Sequence, residues 1–210
     1  MRRFDFFLLK RFIRIHNYTY HKISYFSKKL NNGIHPKHRI LKYHNFFLNN
    51  IEEGSKVLDV GCGNGELTFD LAKKASKVVA CEIDSHKLKI AKIKFQRDNI
   101  KYIKVDVTKY DFNTNFDYII LSNMLEHIKE RVFFLEKLKS RTKFFLIRVP
   151  MINRSWLSLY KRELGSEYRL DSSHFIEYTF ETFQKEINLA GLKIISYTIQ
   201  FGEIWTKIGV

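Results

Sequence analysis

An apolar run that leads directly into a glycine-rich turn is the feature of this sequence that most restricts its fold. Residues 57–60 read VLDV, residues 61–65 read GCGNG, and a helical pattern begins near Glu66. Glycine allows the backbone to turn sharply, and it lets a ligand approach more closely than a Cβ atom would permit. The stretch therefore predicts a buried strand, a ligand-binding turn and a helix, in that order.

Residues 54–210 alternate between short β-rich runs and segments with helical periodicity. This alternation is typical of an α/β protein in which helices cover both faces of a mostly parallel sheet. The predicted strands cover residues 56–60, 77–81, 101–105, 116–121 and 143–149, and a hairpin of residues 192–200 and 203–208 follows, with its turn at Gly202. We therefore expect a Rossmann-like sheet that ends in an antiparallel hairpin.

Two apolar patterns between the strands predict helices that each bury one face. The first pattern consists of Leu125, Ile128, Val132 and Leu135. The second consists of Phe180, Phe183, Ile187 and Ala190, with Thr179 as the N-cap and Gly191 as the C-terminal stop.

The first 50 residues differ from the rest, and we treat them as a basic, aromatic, helical extension of a domain that covers residues 51–210. They hold 11 of the 37 lysines and arginines but one acidic residue, Asp5, in a chain of net charge +15. Two helix faces are predicted on either side of a turn-rich break at residues 31–36. The first face consists of Phe4, Leu8, Phe12 and Ile15, and the second of Ile40, Tyr43 and Phe47.

This basic segment suits an anionic surface, such as membrane headgroups, nucleic acid or an acidic substrate, and a solvated outer face is an equal alternative. No apolar run reaches the roughly 18 residues of a transmembrane helix, and Lys10 and Arg11 interrupt the first apolar stretch. The 2 cysteines, Cys62 and Cys81, have no disulfide or metal-ligand spacing and are interpreted as small buried side chains. We expect a cytoplasmic protein that can associate with the membrane surface.

Three acidic residues stand at the ends of three successive predicted strands. Asp59 lies two residues before the glycine turn, Glu82 ends the second strand, and Asp106 ends the third. Glu82 comes about 20 residues after the first glycine, the separation at which a carboxylate accepts hydrogen bonds from ribose hydroxyls. Asp106 is placed to accept from the exocyclic amine of adenine, with the amide of Val107 facing the ring. The sequence therefore predicts an adenosyl site at the carboxyl edge of the sheet.

The turn departs from the GxGxxG pattern of dinucleotide sites, because its third glycine, Gly65, comes one residue early and is followed by Glu66. The carboxylates of Asp59 and Glu66 would repel an anionic pyrophosphate beside the turn. A sulfonium cation with an amino group tolerates them. The charges therefore favour S-adenosylmethionine over NAD as the cofactor.

These motifs, in this order, resemble the class I S-adenosylmethionine-dependent methyltransferases. Residues 59–65 are similar to the first motif of the family, residues 116–128 to the fourth strand and following helix of its small-molecule branch, and residues 148–150 to the end of its fifth strand. The resemblance implies a methyltransferase that uses S-adenosylmethionine. The cofactor contacts predicted on this basis are Asp59, Gly61, Cys62, Gly63, Gly65, Glu82, Ile83, Asp106, Val107, Ser122 and Asn123.

Methyl transfer to an oxygen of high pKa requires a base near the ends of the fourth and fifth strands. His127 and His174 are the candidates, and a purely structural role for each ring is the alternative. Glu126 is interpreted as a surface charge in the first turn of the following helix. Residues 151–175 exceed a simple connection and predict a partly helical cover over the acceptor pocket. The side chains assigned to this cover are Trp156, Tyr160, Tyr168 and Arg169.

The expected acceptor is a small metabolite or a glycan or lipid precursor, methylated on oxygen in preference to nitrogen. An RNA methyltransferase is the main alternative, because residues 57–75 and 78–84 also resemble ribosomal RNA adenine dimethyltransferases and the basic charge suits RNA. That family holds a flipped base with an Asn-Leu-Pro-Tyr type motif, whereas residues 122–125 read SNML. A non-catalytic protein that binds S-adenosylmethionine is a third reading. No metal site can be assigned from the spacing of Asp and His.

Overall fold

Seven strands form one sheet in the computed structural model, which describes residues 2–210. The strands are Lys56–Val60 (β1), Lys77–Glu82 (β2), Ile100–Lys104 (β3), Phe116–Ser122 (β4), Thr142–Pro150 (β5), Lys193–Gln200 (β6) and Glu203–Gly209 (β7). Their order is β3-β2-β1-β4-β5-β7-β6, and the first five are parallel to one another. Strand β7 runs antiparallel to both β5 and β6. The predicted Rossmann-like sheet with a C-terminal antiparallel hairpin is therefore confirmed.

Eight α-helices accompany the sheet in residues 2–210. They are Arg2–Leu30 (α1), Lys37–Leu41 (α2), Tyr43–Asn50 (α3), Glu66–Leu71 (α4), Ser85–Lys94 (α5), Arg131–Lys139 (α6), Trp156–Glu163 (α7) and Phe180–Leu189 (α8). Because side chains alternate along a strand, β4 contributes Ile119 and Leu121 to the apolar cluster that α6 and α8 cover. Its residues Tyr118 and Ile120 belong to the opposite cluster, which α3, α4 and α5 cover.

Helix α8 begins and ends where its sequence signals predict. The hydroxyl of Thr179 accepts a hydrogen bond from the amide of Thr182, and the Thr182 hydroxyl accepts one from the Thr179 amide. This reciprocal capping satisfies two amides that the helix leaves without partners. Gly191 then adopts a φ of 68°, a left-handed conformation that stops the helix.

The apolar pattern from Leu125 to Leu135 does not form the single helix that its spacing predicts, so this prediction is wrong. A 3-10 turn covers Leu125–His127, Ile128 is extended, and α6 begins only at Arg131. The side chains of Leu125, Ile128 and Leu135 are nevertheless buried in one cluster. Two separate elements therefore bury what the sequence presents as one helix face.

Helix α1 is continuous, but its predicted apolar face points away from the protein. Phe4 and Phe12 are each 64% exposed, whereas Ile13 on the opposite side is buried. The second predicted face is divided as well, since Ile40 is exposed while Tyr43 and Phe47 enter the core beside β1. No helix in residues 2–210 combines the length and the apolar character that crossing a membrane requires.

Candidate cofactor and active site

The site predicted from the strand ends lies where the order of the strands changes direction. Strand β1 pairs with β2 on one side and with β4 on the other, although β4 comes later in the chain than β3. Connections leaving β1 and β4 therefore diverge and open a crevice at the carboxyl edge of the sheet. The glycine turn follows β1 at this position, and the acidic residues of the next two strand ends stand beside it.

All three glycines of the turn adopt left-handed backbone conformations, with φ values of 75° for Gly61, 57° for Gly63 and 94° for Gly65. Gly65 is required by close contacts, because a Cβ atom there would lie 2.8 Å from the Tyr102 hydroxyl oxygen and 2.9 Å from the Ala91 Cβ. A Cβ atom at Gly63 would meet no described atom within 4 Å. Gly63 thus leaves open space on the crevice side of the turn, where a ligand can approach the backbone.

Glu82 ties the glycine turn to the end of β2. Its Oε2 accepts a hydrogen bond from the Gly63 amide at 2.9 Å, and its Oε1 accepts from the amides of Ile83 at 2.8 Å and Asp84 at 2.9 Å. A carboxylate offers about four acceptor positions, so these three bonds leave room for one further donor such as a ribose hydroxyl. The Ile83 side chain beside it is exposed, as a residue facing a bound ring in the crevice would be.

Asp59 is the most deeply buried acid of the predicted set. Its Oδ2 accepts a hydrogen bond of 2.5 Å from the Thr68 hydroxyl in α4. Burial raises the pKa of Asp59 to about 6, because the charged form loses its hydration. Burial likewise raises the pKa of the thiols of Cys62 and Cys81, which agrees with their interpretation as small buried side chains.

The Asp106 carboxylate organises the loop after β3. Its Oδ1 accepts from the Thr108 amide at 3.1 Å and from the Thr108 hydroxyl at 2.6 Å, and these bonds lower the pKa of the carboxyl. The neighbouring Val107 side chain is buried in the core. The predicted adenine contact therefore also has a structural role in its own loop.

The end of β4 presents a strained residue to the same crevice. Asn123 has a φ of 52°, and its amide donates a hydrogen bond to the Arg148 carbonyl oxygen. Its side-chain Oδ1 is buried and has no hydrogen-bond partner among the residues that the structure describes. A buried acceptor without a donor is costly, so this atom marks a position that a bound group can satisfy. The hydroxyl of Ser122, one residue earlier, accepts a 3.4 Å hydrogen bond from the Arg148 guanidinium.

His127 and His174 are brought together with Glu126. The two imidazole rings lie 4.7 Å apart between their centres, and the Nε2 of His174 is 4.0 Å from the Glu126 Oε1. The amide of Phe175 donates a 2.8 Å hydrogen bond to the Glu126 carbonyl oxygen, which holds the later loop against the turn after β4. The prediction that Glu126 is a surface charge is wrong, since its relative exposure is 0%.

Burial sets the charge of this cluster. It raises the pKa of Glu126 to about 8, because few charges nearby compensate for the lost hydration. Burial and the neighbouring His174 lower the pKa of His127. The histidines stand at the carboxyl end of β4, beside the predicted cofactor crevice rather than within it.

Sequence reasoning did not assign the buried ion pair that lies behind this cluster. The guanidinium of Arg148 in β5 donates two hydrogen bonds of 2.6 Å to the Glu203 carboxylate in β7. The central carbon of the guanidinium lies 3.8 Å from the centre of the Tyr43 ring. Trp205 also donates to Glu203 at 2.9 Å. A signal was present, since Arg148 is a charged residue that follows an apolar run of four residues, Phe144 to Ile147, but its partner is distant in sequence.

The segment of residues 151–175 is partly helical, as predicted, and forms a wall with α1. The Nζ of Lys161 in α7 donates to the Asn17 Oδ1 at 2.6 Å. A cavity of about 330 Å³ lies between the two elements, and its lining includes His16, Tyr20, Lys161, Tyr168 and Arg169. Trp156 is 74% exposed and Tyr160 is partly exposed, so neither side chain closes a buried pocket in this structure.

Comparisons with known proteins agree with this architecture. Residues 57–143 match the family profile described as methyltransferase domain. A solved S-adenosylmethionine-dependent methyltransferase from Clostridium acetobutylicum superposes with a TM-score of 0.65 at 15% identity, covering 91% of this chain and 99% of that one. Residues 57–143 therefore match a methyltransferase domain, and the chain as a whole shares the fold of this S-adenosylmethionine-dependent methyltransferase.

Curated relatives resemble the central part of the chain. The (S)-tetrahydroprotoberberine N-methyltransferase of Eschscholzia californica is 32% identical over 95 residues, which cover 43% of this chain and 27% of that protein. The ubiquinone biosynthesis O-methyltransferase of Bradyrhizobium diazoefficiens is 28% identical over 120 residues, covering 56% and 47%. The ribosomal RNA small subunit methyltransferase A of Mycoplasma capricolum is 34% identical over 84 residues, covering 37% and 32%. The chain therefore spans less than half of the length of these relatives.

Proposed function

We propose that this protein transfers a methyl group from S-adenosylmethionine to an oxygen atom of a small metabolite or of a glycan or lipid precursor. One observation carries the proposal. Glu82 accepts a hydrogen bond from the amide of Gly63, so the carboxylate proposed to bind ribose and the glycine turn form one preorganised unit at the strand ends. The matched methyltransferase domain, residues 57–143, contains this unit.

The residues at the crevice are suited to the parts of that cofactor. Glu82 retains acceptor capacity for a ribose hydroxyl, and Gly63 leaves the space that an adenosyl group needs against the backbone. Asp59 and Asp106 bring negative charge to a ligand that carries a sulfonium and an amino group. When bound, S-adenosylmethionine supplies a methyl group attached to a positively charged sulfur. The sulfur becomes a neutral thioether when the methyl group is transferred.

The other side of the crevice supports an oxygen acceptor. A hydroxyl of high pKa must give up its proton, which a positioned imidazole accelerates by about 10² to 10⁴-fold. His127 and His174 lie together beyond the end of β4, where the acceptor is expected. The relatives include enzymes named for oxygen, nitrogen and ribosomal RNA methylation, so the acceptor class rests on these two side chains.

We also propose that α1 meets an anionic membrane surface. At 100° per residue, eight of the exposed aromatic and aliphatic side chains fall within an arc of about 160°, whereas the exposed rings of Phe6 and Tyr20 lie outside it. The eight side chains are Phe4, Phe7, Phe12, Ile15, Tyr18, Ile23, Tyr25 and Phe26. The helix also carries eight lysines and arginines against one acid, Asp5. An apolar face interspersed with cations favours insertion at the boundary between acidic headgroups and acyl chains.

A labelled-methyl assay tests the proposed function. The full-length protein is incubated with methyl-labelled S-adenosylmethionine and with separate small-molecule, lipid and RNA fractions of a cell extract. We expect S-adenosylhomocysteine to form and label to appear in a small-molecule or lipid product. Label confined to the RNA fraction would contradict the proposed acceptor class, and absence of turnover with every fraction would contradict the proposed activity.

Two glycine variants provide a matched comparison for the cofactor site. Gly63→Ala and Gly54→Ala both place a side chain at positive φ, 57° and 76°, without a steric contact within 4 Å. Both should lose stability by a similar 1 to 2 kcal/mol, roughly the cost of the left-handed conformation. Only Gly63→Ala should weaken cofactor binding, because its new methyl group enters the crevice. Equal cofactor affinity in the two variants would contradict the placement of the site.

A further inference from the structure

Glu126, His127 and His174 form a group whose ligand atoms all lie within 4.8 Å of one another. Two members are consecutive in the 3-10 turn that follows β4. The third is carried back from the later loop, which the hydrogen bond from the Phe175 amide to the Glu126 carbonyl oxygen fixes in place. We refer to these three side chains as the Glu-His-His cluster.

The ring of His174 is oriented by a carboxylate outside the cluster. Its Nδ1 lies 3.2 Å from the Glu177 Oε1, and Glu177 is itself paired with Arg154. A carboxylate paired with an arginine accepts hydrogen bonds and has no proton to donate, so the hydrogen of this bond lies on Nδ1 of His174. In the neutral ring the lone pair is then on Nε2, which lies 4.0 Å from the Glu126 Oε1.

The ring of His127 is oriented in the same way through a hydroxyl. The Ser173 hydroxyl donates its proton to the Asp171 Oδ1 at 2.6 Å. Its oxygen lies 3.0 Å from the His127 Nδ1 and must therefore accept from that nitrogen. The lone pair of His127 is thereby assigned to Nε2. Outer hydrogen bonds of this kind fix the tautomer and the orientation of histidines that bind metal ions.

The carboxylate of Glu126 has no partner of its own. Its relative exposure is 0%, and neither carboxylate oxygen accepts a hydrogen bond from any group in residues 2–210. A buried carboxylate without a donor is unfavourable unless a cation or a hydrogen bond compensates for its lost hydration. The two neighbouring imidazoles present lone pairs rather than protons, so they do not supply that compensation.

We propose that the Glu-His-His cluster binds one divalent metal ion through the Glu126 carboxylate and the Nε2 atoms of His127 and His174. Two imidazoles and one carboxylate suit Zn²⁺, Fe²⁺, Co²⁺ or Mn²⁺, whereas Mg²⁺ and Ca²⁺ prefer sites made of oxygen. Three protein ligands leave further coordination positions open, as in metal sites that bind a substrate. The sequence offered no spacing signal, because His174 joins the cluster only through the fold.

This inference extends the proposed function without requiring it for metal binding. An ion at the cluster would lie beyond the end of β4, beside the cofactor crevice. An acceptor hydroxyl bound there would release its proton to solvent water more readily, which is the Lewis-acid role of such ions. The two histidines would then act as ligands, and water rather than an imidazole would accept the proton of the hydroxyl.

Metal titration of the chelator-stripped, full-length protein tests the proposal. Co²⁺ is added while its visible absorption is recorded, and Zn²⁺ is titrated by calorimetry. We expect one ion per chain and a Co²⁺ absorption spectrum typical of coordination by nitrogen and oxygen ligands. Glu126→Gln and His174→Ala should each weaken binding by at least about 100-fold. His86→Ala removes an exposed histidine on α5 and should leave the affinity unchanged.

A variant outside the cluster keeps the test valid if a ligand variant does not fold. Ser173→Ala removes the exposed partner of His127 and should weaken binding by about 10 to 100-fold with an unchanged circular dichroism spectrum. The proposal is overturned if the wild-type protein binds no stoichiometric ion, or if folded variants bind as tightly as the wild type. Binding of S-adenosylhomocysteine to the same samples is measured separately, so failure of the metal site and failure of the cofactor site are distinguished.

Discussion

At the residue scale, Asp59 couples the stability of the fold to pH. Its carboxyl is buried beside the Thr68 hydroxyl, and burial raises its pKa to about 6 from an ordinary value of 3.8. Because the folded pKa exceeds the unfolded one, protonated Asp59 favours the folded state. Its contribution is complete below about pH 4 and is lost as the pH rises through about 6.

Asp59→Asn should remove this dependence, because asparagine cannot ionise and its amide oxygen can still accept from Thr68. We expect the variant to gain up to about 1–3 kcal/mol of unfolding free energy relative to the wild type between pH 4 and pH 8. Urea unfolding at several pH values measures the difference. Asp98→Asn, at an exposed position, is the control. An unchanged pH dependence in Asp59→Asn would show that the site does not hold a destabilised carboxylate.

Arg148 illustrates a second cost of buried charge. Its guanidinium and the Glu203 carboxylate are both buried and form a bidentate pair. Arg148→Met leaves Glu203 buried without its partner and should reduce the unfolding free energy by about 3–5 kcal/mol. The double variant with Glu203→Met should recover most of that loss, since it removes both charges. Chemical unfolding of the three proteins checks this, and additive losses in the double variant would contradict it.

At the element scale, α1 has the apolar face that its sequence predicts, but this face is exposed. The spacing of Phe4, Phe12 and Ile15 predicts one helix face correctly, but that face is exposed while Ile13 faces the protein. Periodicity identifies which residues share a face and carries no information on what covers the face. The exposed position of these side chains is the reason that α1 is proposed to meet a membrane surface.

Vesicle flotation tests that role of α1. The full-length protein should float with vesicles containing anionic phospholipid and remain unbound with neutral vesicles. Replacing Phe4, Phe7 and Phe12 by serine should reduce flotation at least about tenfold, because each buried phenyl ring contributes about 1.5–3 kcal/mol. Phe133→Ser, at an exposed position on α6, is the control. Equal flotation of all variants, or equal binding to neutral vesicles, would remove the membrane proposal.

The elements that the sequence predicts well are those whose signals are local. Strands β1 to β5, the C-terminal hairpin and the caps of α8 depend on neighbouring residues, and all lie within one or two residues of the prediction. The break at Ile128 is different. Its extended conformation interrupts an apolar pattern that is uniform in sequence, so periodicity alone predicts a single helix. Glu126 lies in the 3-10 turn immediately before this break.

At the scale of the whole molecule, the two sides of the site differ in how far they can be predicted. The cofactor side is encoded by strand ends that each follow a recognisable apolar run, and Glu82 stands next to the glycine turn as its spacing requires. The acceptor side depends on the return of the chain beside β5, where Met151 pairs with Tyr178. That return path brings His174 to Glu126, and no local pattern in residues 151–175 specifies it.

We expect the glycine turn and Glu82 to bind an adenosyl group at the carboxyl edge of the sheet. Calorimetric titration of the purified full-length protein with S-adenosylhomocysteine measures this binding. We predict saturation at one ligand per chain, and an affinity lower by about 10 to 100-fold in Glu82→Gln, which loses a charged acceptor for a ribose hydroxyl. Glu53→Gln, at an exposed position, should bind like the wild type. A folded wild-type protein without saturable binding would show that this edge of the sheet is not an adenosyl site.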